Sequence, residues 1–74
     1  MTETKSDLQT RVEAALINDS RTKDYAVEVL DNNGVIILRG AVPSREASTA
    51  VEMVAREVEG VVSVINETDV ITKN

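Results

Sequence analysis

The chain has 74 residues with 8 Lys+Arg against 13 Asp+Glu, a net charge of −5. Cys, His, Trp and Phe are absent and Tyr25 is the only aromatic. These zeros exclude disulfides, thiolate or imidazole metal sites, a Ser-His-Asp triad and a histidine switch. One aromatic and an acidic balance also exclude the stacking and phosphate neutralisation that nucleic-acid binders use. A self-contained enzyme is not expected, and a binding or structural module is. The start, Met1 to Lys5, is polar, and no apolar run approaches a membrane span. As written the chain reads as a soluble cytoplasmic protein, or as periplasmic or envelope-located if it was excised from a larger exported protein.

Leu8, Val12, Ala15 and Leu16 recur at i, i+4, i+7 and i+8, which predicts a helix over Asp7 to Asn18. Ser6 and Gln9 have capping-box spacing, and Asp7–Arg11 is an i, i+4 pair. Asn18 to Asp24 is polar and non-periodic, hence a loop. Tyr25, Val27 and Val29 then alternate with Ala26 and Glu28 as in a half-buried strand. Asp31-Asn32-Asn33-Gly34 carries tight-turn chemistry, and Val35-Ile36-Ile37-Leu38 reads as the returning strand of a β-hairpin.

Gly40 to Pro43 breaks that pattern, and Ser44 caps a second helix from Arg45 to about Glu59. Its apolar face is Ala47, Val51, Val54, Ala55 and Val58, Glu52–Arg56 is an i, i+4 pair, and Gly60 falls at a C′ position. Val61 to Ile71 reads as a third strand. Val62, Val64, Asn66, Thr68 and Val70 share one of its faces; Ser63, Ile65, Glu67, Asp69 and Ile71 share the other. The order αββαβ predicts one α+β domain over residues 1–74, with its core at about 7–71. It is a two-layer sandwich with both helices on one face of a three-stranded mixed sheet. A right-handed crossover makes strand three parallel to strand two, which is central if the two are neighbours.

Gly34, Gly40 and Gly60 match neither GxGxxG nor a Walker loop, so each is assigned a structural place: turn, close packing and helix cap. Asp31-x-Asn33-Gly34 lacks the glycine and terminal acid of a calcium loop. No cofactor or metal is expected. Glu28, Glu67 and Asp69 project from the outer sheet face, where solvation gives no catalytic poise, and Arg39 can pair with one of them. The informative feature is apolar. Ile36, Leu38 and Val42 point inward, which leaves Val35 and Ile37 outside, joined by Ile65 and Ile71. That set is ordinary exposed apolar surface, or it is covered by a second copy, a neighbouring domain or a membrane. Strand three is alternatively an edge for sheet extension.

The stretch Asn33-Gly34-Val35-Ile36-Ile37-Leu38-Arg39-Gly40-Ala41-Val42 resembles the hairpin signature of BON domains (bacterial OsmY and nodulation). Ala47, Ala55 and Val58-Glu59-Gly60-Val61-Val62-Ser63-Val64-Ile65-Asn66, with Val70, resemble the second signature of that family. The resemblance covers about Leu8 to Val70. It implies the same αββαβ fold, no catalysis, and association with phospholipid or membrane surfaces, as proposed for relatives in bacterial envelope and osmotic-stress proteins. Thr68 stands where the family prefers an apolar residue, and the Ser20–Asp24 loop lacks the apolar anchor often found after helix one. The cations are interspersed with acids, and neither helix has the bulky apolar face and basic rim of an interfacial helix. Read from the residues alone, the chain is a protein-interaction or oligomerisation module that uses its outer sheet face.

Overall fold

Ser6 starts the first helix as its spacing to Gln9 predicts, its hydroxyl accepting the Gln9 N–H at 3.0 Å. In the computed structural model, which describes residues 6–71, helix α1 spans Asp7–Asn18 and helix α2 spans Arg45–Arg56. Strands β1, β2 and β3 span Glu28–Asn32, Val35–Val42 and Ser63–Val70. The chain order is therefore αββαβ, and the sheet order is β1-β2-β3. β1 is antiparallel and β3 parallel to the central β2, the mixed sheet that the hairpin and the crossover require.

The hairpin closes on Asn32↔Val35 through the two-residue turn Asn33-Gly34, both at positive φ (55° and 93°). Two such residues give a turn whose twist matches that of the flanking strands. Asp31, one residue before the strand's end, secures the turn. Its carboxylate accepts the Gly34 N–H at 2.9 Å and the Ser6 hydroxyl at 2.7 Å, which ties the start of α1 to the hairpin.

The core lies between the helices and one face of the sheet. Val12 and Leu16 of α1 meet Val51, Val54 and Ala55 of α2 above Val29, Ile36 and Leu38, all buried. On β2 the alternation holds as expected: Ile36, Leu38 and Val42 point in. On β3 the inward positions are Val64, Asn66 and Thr68, each half-buried.

Several boundaries differ from the sequence reading, each for a local reason. The ladder of β1 begins at Glu28, so Tyr25 and Val27 precede the strand although both pack on the core. Gly40 does not end β2, which continues through it, paired with Thr68, to Val42. At φ +144°, Gly40 lies where a Cβ would stand 2.7 Å from the Ala26 carbonyl oxygen. The Ala26-Val27 backbone, just ahead of the β1 ladder, lies close against Gly40 there. Helix α2 stops at Arg56, and Gly60 lies in a later turn closed by the Val61 N–H on the Val58 carbonyl. Gln9 completes no capping box: its side chain donates to the Val29 carbonyl at 2.8 Å. Arg11, expected to pair with Asp7, donates to the Glu59 carbonyl at 3.2 Å. Thr22 is the buried residue of the Ser20–Asp24 loop, its hydroxyl donating to the Leu16 carbonyl at 2.6 Å. The loop is thus anchored by a polar side chain with an internal acceptor.

Candidate functional site

Both helices cover the same face of the sheet, so among the described residues the opposite face has no covering layer. Side chains directly opposite one another across a sheet share a face, and the register therefore places rows. One row is Leu30–Ile37–Ile65, crossing all three strands. The row on one side is Asn32–Val35–Ser63; on the other it is Glu28–Arg39–Glu67. Further along, Ala41 stands beside Asp69.

Val35, Ile37 and Ile65 thus come together as the sequence pattern predicts. Ile65 is 45% exposed, while Val35, Ile37 and Leu30 are half-buried by one another. Arg39 also lies on this face, its Nε donating to Glu67 Oε1 at 2.9 Å. Ile71, although on the same side, does not join them. It follows the end of β3, six residues beyond Ile65 and so ~20 Å away along the strand, with Glu67 and Asp69 between. Leu30 is the member that sequence reasoning missed. It has the parity of Glu28, already placed outside, but the strand was framed too early for Leu30 to fall within it.

The face offers chemistry of one kind. Its centre is aliphatic, and its rim carries Arg39 against Glu28, Glu67 and Asp69, with the arginine already committed to Glu67. No group of three or more metal-ligating side chains occurs among the described residues. The acids therefore form a charged border.

A second polar constellation lies on the helix side. The Asn66 amide donates to the Ser48 carbonyl at 2.9 Å, to Ser48 Oγ at 3.0 Å and to Glu52 Oε1 at 3.3 Å. Its oxygen accepts the Thr68 hydroxyl at 2.6 Å and the Thr68 N–H at 3.1 Å. Ser48 Oγ and Thr68 Oγ1 are 2.8 Å apart. Every donor has an acceptor within the protein, so the cluster clamps α2 onto β3 and offers no open site. It also accounts for Thr68: a hydroxyl suits this position because Ser48 and Asn66 face it.

The remaining perturbed groups are structural. The Arg21 guanidinium beside Asp19, bonded at 2.9 Å, holds that carboxyl down to about 2, helped by the Arg21 N–H. Asp19 in turn raises Arg21, which also reaches Glu57 at 3.4 Å. The Ser6 hydroxyl, followed by the Gly34 N–H, holds Asp31 below the usual carboxylate range.

The glycine-bearing hairpin, the crossover helix and the parallel third strand, in this order, are matched by the BON domain profile over residues 4–72. The chain belongs to the BON domain family. That family is one of non-catalytic binding domains, which accords with a fold whose clearest surface feature is an uncovered apolar row. No curated protein matches the chain by sequence. No helix among the described residues of this BON domain is long and apolar enough to cross a membrane.

Proposed function

We propose that this BON domain is a non-catalytic binding module that takes a protein partner on its helix-free sheet face. The row Leu30–Ile37–Ile65 carries the reading. A half-exposed sheet face is ordinarily polar, and here the central row is aliphatic on every strand while the neighbouring row is charged. The rim selects the partner's chemistry. Three carboxylates along one side of an apolar centre favour a surface that presents aliphatic or aromatic side chains flanked on that side by Lys or Arg.

Phospholipid association, which the family resemblance implies together with an envelope or stress-related setting, has weaker support in the residues. Each basic residue near an anionic bilayer contributes ~1 kcal/mol, and carboxylates on the docking face act in the opposite sense. On the helix side, a shallow groove of about 370 Å³ carries Arg21 and Arg45 beside Ala50 and Met53. Arg21 is already neutralised there by Asp19 and Glu57.

A photo-crosslinking residue placed at position 37, compared with one at the exposed helix position Thr10, tests the reading in the cell that makes the protein. Protein adducts at 37 but not at 10, lost on Ile65→Lys with the circular dichroism spectrum unchanged, are expected. Lipid adducts alone at 37, together with co-sedimentation on phosphatidylglycerol vesicles that Ile65→Lys abolishes, would replace it with the phospholipid reading. Equal labelling of both positions would remove the sheet face as a recognition surface.

A further inference from the structure

The two edges of this sheet are finished differently. β1, five residues long, has its outward Val29 carbonyl taken by the Gln9 side chain at 2.8 Å. β3, eight residues long, is the other edge, and among the described residues no strand lies beyond it. A strand alternates residues whose N–H and C=O face one neighbour with residues that face the other. The Asn32↔Val35 closure turns the odd-numbered residues of β2 toward β1 and the even-numbered ones toward β3. The Ile71 N–H on the Val42 carbonyl, at 2.8 Å, then places Ile65, Glu67, Asp69 and Ile71 toward β2. Val64, Asn66, Thr68 and Val70 present their backbone groups to the open side.

Part of that open side is closed from within. The Thr68 N–H goes to Asn66 Oδ1 at 3.1 Å, and the Val62 N–H turns inward to the Gly34 carbonyl at 2.8 Å. Between these two stops lies a short window, Val64 to Asn66. Beside it is a groove of about 350 Å³, lined by the consecutive residues Val61 to Val64 and, from α2, by Arg56. Arg56 belongs to a helical stripe with Ser48 and Glu52 that runs along this edge: Glu52 Oε1 and the Ser48 oxygens hold Asn66, and Glu52 Oε2 holds Arg56 at 2.8 Å. That single bond leaves most of the guanidinium fork unused, on a side chain 62% exposed.

We propose that this edge accepts an extended segment of a partner protein as a fourth strand, with an acidic side chain of that segment meeting Arg56. The groove is walled by extended backbone on one side and a helix on the other, so the occupant must match alternate N–H and C=O groups along a line. An extended peptide supplies them. Its residue opposite Val64 faces the helix layer, where Arg56 stands, and a carboxylate there completes the fork. A second copy is the competing occupant, pairing β3 with β3 across a two-fold axis. The proposal does not rest on the sheet-face reading, since it uses backbone groups and Arg56, whereas that reading uses Leu30, Ile37 and Ile65.

The test is an NMR titration of the full chain with two capped pentapeptides, acetyl-Val-Thr-Asp-Val-Thr-amide and the same peptide with Lys for Asp. Binding of the Asp peptide at ~millimolar affinity is expected, a scale reasonable for so short a window. The Val64 and Asn66 amides should shift and gain exchange protection. Arg56→Ala should weaken the Asp peptide about three- to fivefold, the size of an exposed ion pair, and Arg56→Lys should restore part of it. Arg56 is exposed and, among the described residues, bonded only to Glu52, so the variants should keep the wild-type spectrum elsewhere. No shift at saturating peptide, shifts centred on Ile37 instead of Val64, tighter binding of the Lys peptide, or a dimer formed through β3 would each overturn the proposal. Failure at Val64 with crosslinks retained at position 37 would leave the sheet-face reading standing.

Discussion

Gly40→Ala is the sharpest test of how the chain is packed, because two views of that residue predict opposite signs. As an ordinary strand glycine, its replacement by alanine would stabilise the protein by ~0.5–1 kcal/mol, by restricting the unfolded chain and restoring strand propensity. The structure predicts the reverse. A Cβ at position 40 would lie 2.7 Å from the Ala26 carbonyl oxygen and 3.4 Å from Val27 Cα, both backbone atoms that no rotamer change can move. The residue also sits at φ +144°, where holding an L-residue costs ~1–3 kcal/mol. Displacing the Ala26-Val27 backbone adds ~1–3 kcal/mol of overpacking. Set against the unfolded-state gain, the net loss is ~1–5 kcal/mol, about 3 kcal/mol at mid-range. A domain of this size has ~4–11 kcal/mol in all, so at mid-range the midpoint of thermal unfolding should fall by ~12–24 °C. Urea unfolding followed by circular dichroism measures it, with Gly60→Ala as the comparison. There the nearest atoms to a new Cβ are side-chain ends, Leu8 Cδ1 at 3.4 Å and Arg11 Nη2 at 3.5 Å, so only the backbone term applies. Gly40→Ala within ~0.5 kcal/mol of wild type, or no worse than Gly60→Ala, would refute the close approach of the Ala26-Val27 backbone to Gly40.

Asn66→Ala removes the donor to Ser48 and Glu52 and the acceptor for both Thr68 groups, so it should cost ~1–2 kcal/mol in urea unfolding. The double variant Asn66→Ala/Thr68→Val should lose less than the sum of the single changes. Asp19, held down to about 2 by Arg21, contributes stability that is present above its unfolded value and lost as pH falls through about 2. Arg21→Ala should move its carbon-detected titration midpoint back up toward the ordinary carboxylate range, while an unmoved midpoint would mean that another group sets it. Binding at the sheet face has a salt signature, because its rim is acidic. A basic protein partner should bind more weakly as ionic strength rises, whereas association with anionic vesicles should improve as repulsion is screened.

The inward positions of this fold were readable because each rests on a single periodicity. Val12 and Leu16 at helical spacing, and Ile36 and Leu38 at strand spacing, all lie in the core. What escaped notice was set by a second segment of chain. Gly40 reads as a breaker by itself, but it continues β2 because Ala26-Val27 needs the space above it. The alternation of Tyr25, Val27 and Val29 is real, yet only Val29 is within the ladder; the other two pack on the core from the segment that precedes it. That shift of frame hid Leu30 and with it the full width of the apolar row. Thr22 looked like any loop residue because its partner, the Leu16 carbonyl, is a helix-end group that sequence does not display. Of the candidate site, Val35, Ile37, Ile65 and Arg39 lie on the helix-free face to which parity alone assigns them. Ile71 was grouped with them because parity assigns a face but not a distance along it.

Two forces can keep Leu30, Ile37 and Ile65 aliphatic, and they make different demands. Cross-strand pairs of branched side chains stabilise a sheet by ~0.2–1 kcal/mol each, so Leu30–Ile37 and Ile37–Ile65 support the fold with or without a partner. Threonine or tyrosine would satisfy the same strand preference and leave a wetted face. The adjoining row shows that the chain does use that solution where it serves, with Arg39 bonded to Glu67 and Glu28 opposite it. The central strand is the one that folding most needs to shield, yet its outward residue Ile37 gains cover only from Leu30 on one side and a 45%-exposed Ile65 on the other. Stability alone would be served by closing the row with a bulkier or more polar neighbour at the edge. An aliphatic row left open at Ile65, beside an edge whose backbone groups from Val64 to Asn66 face no strand among the described residues, accords with the two adjoining recognition surfaces proposed above.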